Sequence, residues 1–185
     1  MKLAYLNNVK KQFEYYKSLG EKTFNQLEDQ DLFWQYNQDA NSIAIIVNHL
    51  WGNMKSRWTD FLTSDGEKEW RKRDQEFESI IKTREELLTK WNDGWSCLFQ
   101  ALDSVNERNI DTEIYIRNQV HSINDAISRQ LAHYGYHIGQ IVYIGTLIKG
   151  DSWQSLSIPK GKSQDFNDSK FSKGKHKGHF SDGLK

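Results

Sequence analysis

A single proline in 185 residues is the feature that most constrains how this chain can fold. A sandwich or barrel needs a turn signal about every 8–12 residues. One Pro and twelve Gly do not supply them, so long helices are expected. Hydrophobic residues make up 37% of the chain, which is modest for a core. Seven Trp, eight Tyr and nine Phe compensate, because large rings fill volume that few aliphatics would leave open. The single Cys excludes a disulfide framework and any zinc site built from cysteines. No stretch approaches the roughly 18 consecutive apolar residues of a membrane span, and the polar start MKLAYLNNVKK is not a signal peptide. A soluble, cytoplasmic protein with no membrane partner is expected.

Apolar spacing at 3.6 residues places the helices. Leu6, Val9, Phe13, Tyr16, Phe24 and Leu27 mark a first helix over 3–28. Asn41 or Ser42 caps a second, SIAIIVNHLWGNMKSRWTDFLT, and a third runs over 83–105 through Leu87, Trp91, Trp95, Leu98 and Leu102. Ile114–Ile116 alternate like a short extended segment. Ser122 or His121 then opens a last helix that stops near Gly150. The expectation is an all-α four-helix bundle over 1–159, with a long connection able to cross over between helices two and three. Residues 160–185 hold seven Lys against three Asp, a local balance of +4, while the chain as a whole is neutral. This basic, glycine-containing extension is expected to be flexible, although its Phe residues could pack along the bundle. Lysines spaced so widely, without Arg, make a poor nucleic-acid arm, so no such partner is expected.

Six His stand at 49, 121, 133, 137, 176 and 179. His133 and His137 are four apart in the last helix, which brings their Cβ atoms to about 5–6 Å and lets two imidazoles grip one ion. Both lie beside the apolar stripe of Ile123, Ile127, Tyr134, Ile138 and Ile141, with Arg129 and Gln140 on the same flank. In the second helix His49 sits on a similar polar ribbon with Asn53, Arg57 and Asp60. Two such ribbons would line a groove open to solvent on one side. Three His with a free coordination position describe a catalytic site; three solvated or hydrogen-bonded His on a helix flank are the plain alternative.

NHLWGNMKSRWTDFLT around His49, EWRKRDQEF in the connection and RQLAHYGYHIGQIVYIG around His133 and His137 resemble the DinB/YfiT-like superfamily, closest to its branch of small uncharacterised bacterial proteins. The SIPKGKS segment extends the resemblance over nearly the whole chain. What the resemblance implies is a divalent metal, zinc or nickel, held by His49, His133 and His137, often in a homodimer. Relatives include S-transferases and isomerases that use a low-molecular-weight thiol, and others described as metal-dependent hydrolases. Such a metal lowers the pKa of a thiol or water, so S-transfer and hydrolysis of a small molecule are both expected readings. A non-catalytic metal-binding bundle, serving as a stress-response or binding module, is the alternative. Arg57, Asn53 and Arg129 are the candidate substrate-side catalytic residues, each with salt-bridging as its plain alternative, and Gln140 is a candidate for fixing a His tautomer. Trp70, Arg71 and Arg73 in the connection could close over the groove or simply form salt bridges. Cys97 is expected to be a packed small side chain, His121 a cap or solvent contact, and His176 and His179 solvated. Asp29, Asp31 and Asp39 are expected as caps.

Overall fold

Side chains that satisfy orphan backbone N–H groups set where the helices start. In the computed structural model, which describes residues 2–182, α1 spans Lys2–Phe24 and α2 spans Ile43–Trp58. Ser42 caps α2 by accepting the N–H of Ile45. Then α3 covers Arg84–Ser104 behind a Thr83/Glu86 capping box, and α4 covers Ile123–Lys149 behind a Ser122/Asp125 box. Gly150, at φ 51, ends α4 in a backbone conformation that glycine alone adopts without strain. The second helix is shorter than its periodicity predicts. Asp60 takes a positive φ of 48°, and the chain turns away although Phe61 and Leu62 continue the apolar pattern.

The chain is mostly helical, and its departure from an all-α class is a two-stranded hairpin. Strand β1 (Glu113–Ile116) pairs antiparallel with β2 (Gln119–Ser122), Ile114 opposite His121. Its two-residue turn puts both Arg117 and Asn118 at positive φ, as a primed turn requires. The Asp65 carboxylate stabilises that turn by accepting the N–H groups of Arg117 and Asn118, each at 2.8 Å. Burial by itself would raise the Asp65 carboxyl; these backbone donors outweigh it and hold it below the ordinary range. Ile114 and Ile116 turn into the core, which is why the alternation was visible in the sequence.

Helix α2 is the hub. It packs against α3 and α4, and α1 packs against α4 and α3. The connection after α2 folds back on it through a 3-10 turn, Asp74–Phe77, and a second 3-10 turn at Asp29–Phe33 covers another side. Nearly every residue of α2 is therefore buried, including its polar ribbon. Rings fill the centre as the composition implied: Tyr134 meets Phe13 at 5.7 Å and Trp95 at 5.9 Å between centroids. Within the basic extension, α5 (Ser163–Phe171) forms, and Phe180 meets Tyr15 of α1 edge-on at 5.3 Å. Residues 183–185 of that extension lie outside the described residues. No described helix is long and apolar enough to cross a membrane.

Candidate metal centre

His49 in the middle of α2 and His133 and His137 one turn apart on α4 come together where those two helices cross. One ring nitrogen of each lies within 4.8 Å of the others. The three Nε2 atoms converge: His49 to His133 is 3.2 Å and His137 to His133 is 3.1 Å. Metal–nitrogen bonds of about 2.0–2.1 Å in tetrahedral array put neighbouring donors about 3.3 Å apart, so the spacing fits one small cation.

The opposite nitrogens decide the tautomers. His49 Nδ1 meets Glu76 Oε2 at 2.9 Å, His137 Nδ1 meets Gln140 Oε1 at 2.8 Å, and His133 Nδ1 meets Gln130 Oε1 at 3.3 Å. A carboxylate or amide oxygen only accepts, so each Nδ1 carries the proton and each Nε2 is left bare. Three lone pairs then face one another with no hydrogen between them. A proton is a poor remedy. Burial, then the neighbouring His137 and His49, push His133 down to about 3. Burial and His49 push His137 down to about 4, although the hydrogen bond it donates to Gln140 pulls the other way. At neutral pH His133 and His137 are therefore neutral, and the three-His cluster could hold a metal ion.

The surrounding shell is built from residues that helical spacing does not mark. Glu76 sits on the 3-10 turn of the connection, where Arg71 grips it with Nε at 2.7 Å from Oε1 and Nη2 at 3.0 Å from Oε2. Burial favours the neutral acid at Glu76; hydrogen bonds from His49 and Arg71, with the charge of Arg71, overcome that and keep it ionised. Gly52 makes room, since a Cβ there would lie 2.5 Å from Glu76 Oε1. Phe77 stacks on the His49 ring at 4.6 Å. Gln140 fills the role its position suggested, and Gln130, one turn before His133, was its overlooked counterpart; Glu76 left no signal in the sequence.

The other candidates fall elsewhere. Arg71 is committed to Glu76 and Glu67, while Trp70 and Arg73 are exposed. The polar ribbon of α2 is sealed by the connection rather than open to solvent, leaving His133 as the partly exposed member of the triad. Asn53 Oδ1 accepts from the Tyr134 hydroxyl at 3.1 Å, which in turn accepts from Trp58 Nε1 at 3.1 Å. Arg57 is buried, and Arg129 is exposed on the flank of α4. Cys97 rests on the carbonyl of Met54. His121 lies in β2 and leaves the cap of α4 to Ser122. His176 and His179 bond within the extension, and His179 also reaches Asn8 at 2.9 Å. Asp31 joins the cap of its 3-10 turn, Asp39 is exposed, and Asp29 pairs with Arg84.

A family described as "Protein of unknown function (DUF1572)" matches residues 1–162. No curated protein and no solved structure matches the chain.

Proposed function

The chain belongs to the DUF1572 family, and we propose that it is a metal-dependent enzyme of the DinB/YfiT-like type, a four-helix bundle whose His49, His133 and His137 hold zinc or nickel. The observation that carries this reading is the set of three bare Nε2 atoms, each fixed by an oxygen on the far side of its ring. Structural zinc sites use four protein ligands, whereas three His with a position left over is the donor set of a catalytic site. A cation held there would lower the pKa of a thiol or water in the remaining position, the chemistry shared by S-transfer and hydrolysis.

The chain's own residues do the rest. Glu76, Gln130 and Gln140 hold the rings in register, and Arg71 keeps Glu76 ionised. Phe77 screens one face of His49. Arg57 and Arg129 supply positive charge on the substrate side, and Asn53 fixes the α2–α4 contact through Tyr134. A low-molecular-weight thiol as co-substrate, a homodimer and a cytoplasmic setting belong to the same reading. Residues 1–159 form its catalytic unit and 160–185 an appendage.

Cobalt substitution tests it. Azide or a small thiol added to the cobalt-loaded protein is expected to change the visible spectrum, because the fourth position exchanges. A spectrum indifferent to every added ligand would instead assign the metal to scaffolding or binding.

A further inference from the structure

Two turns beyond His49 on α2, Arg57 is 4% exposed, and its Nε and Nη1 have no hydrogen-bond partner among the described residues. Guanidinium N–H groups taken out of water without a hydrogen bond are a costly arrangement for a fold to hold. The carboxylates around it are occupied. Asp65 receives the backbone N–H groups of Glu67, Arg117 and Asn118. Glu67 receives Arg71 at 3.4 Å and Arg117 at 3.3 Å. Asp60, the partner expected from helical spacing, is exposed and forms no ion pair with it among the described residues. Lys68, Arg71 and Arg129 add further positive charge nearby, and both Arg71 and Arg129 also act on His133. Positive charge therefore stands at both the candidate metal centre and this guanidinium; Glu67 and Asp65 attract the guanidinium from nearby, but among the described residues no side chain hydrogen-bonds its Nε or Nη1. Burial lowers even the guanidinium's proton affinity, to about 10, but leaves it charged at neutral pH.

We propose that Arg57 is the binding group for an anionic function, a carboxylate or a phosphate, on the small molecule handled at the three-His site. This rests on the reading of that site as catalytic and narrows its substrates to anions. The guanidinium offers a planar fork of donors, the geometry that recognises both anions. It lies against Gly66, where a Cβ would stand 2.7 Å from Nη1, with Ile116 beside it. Because these two nitrogens are buried, an anion reaches them by parting this wall from α2, so binding and a local shift around Gly66 go together.

Thermal unfolding of the full chain in chloride, acetate and inorganic phosphate at equal ionic strength tests the proposal. It is run on the wild type, on Arg57→Met and Arg57→Lys, and again on each of these in a His133→Ala, His137→Ala background, where an anion has no metal to ligate. Acetate or phosphate is expected to raise Tm over chloride in the wild type and in the double-His background, and whichever does so names the class. Arg57→Met is expected to abolish that shift while melting no lower than the wild type in chloride, because it removes buried N–H groups that lack a hydrogen bond. Arg57→Lys is expected to weaken the apparent anion affinity on the order of tenfold. No anion effect in the wild type, or a shift that survives Arg57→Met, overturns the proposal. If Arg57→Met does not fold, unchanged affinity in Arg57→Lys overturns it. An anion shift in a protein that takes up no metal would instead refute the metal reading and leave Arg57 as an anion site.

Discussion

At the scale of single residues, the three Nδ1 partners matter as much as the three histidines they hold. Removing an outer partner of a ligating His costs about 10–100-fold in metal affinity. Glu76→Ala and Gln140→Ala are each expected to weaken zinc by that much in chelator competition, with the triad itself intact; unchanged affinity would mean the rings are held by packing alone. Gly52→Ala is expected to act in the same direction. Its Cβ would meet a carboxylate 2.5 Å away that Arg71 and His49 pin from two sides, so the clash cannot be relieved by a simple swing. The depressed His133 and His137 also set a pH dependence. With folded values of about 3 and about 4 against an ordinary 6.5, the unfolded chain binds these protons first as pH falls. Metal-free protein is therefore expected to keep its full stability above about pH 6.5 and to lose it progressively toward pH 4, read as a falling Tm. A Tm flat across that window would contradict a buried, neutral His133 and His137. The three histidines were legible because an i,i+4 pair and a ribbon are patterns. Glu76 was not, because a 3-10 turn in a charged connection has no periodicity to place it.

At the scale of elements, α2 and α4 carry the site, and a buried hydrogen-bond chain ties them: Trp58 to Tyr134 to Asn53, each link at 3.1 Å. Tyr134→Phe leaves the shape intact but strands an indole N–H and an amide oxygen. A cost of about 1–3 kcal/mol in urea unfolding is expected. Ser122→Ala removes an N-cap and its capping box, with an expected loss of about 1 kcal/mol. The starts of α2, α3 and α4 were legible for the same reason these substitutions cost stability: Ser42, Thr83 and Ser122 each accept a backbone N–H three residues on. The end of α2 was not, since Asp60 breaks the helix by its backbone conformation while the apolar pattern runs on. The sealing of its polar ribbon was equally hidden, because the cover comes from the charged connection, whose composition reads as solvent-facing.

Across the whole molecule, the basic extension and the candidate metal centre are far apart in role. The extension docks on α1 through Phe180 on Tyr15 and His179 on Asn8, and with Tyr15 it lines an open pocket of about 620 Å³. Deleting residues 160–185 is expected to leave metal stoichiometry unchanged, measured on the truncated chain beside the full one. A loss of metal on truncation would tie the two regions together. Metal and fold are expected to be linked more closely: an ion present at about a hundredfold its dissociation constant stabilises the folded state by about 2.7 kcal/mol. The most direct measurement is metal content by mass spectrometry on untagged protein, beside a His133→Ala, His137→Ala variant. About one zinc or nickel per chain, lost in the variant, is the predicted result for a single three-His site. A wild type that holds no metal after loading with zinc or nickel and dialysis would contradict it.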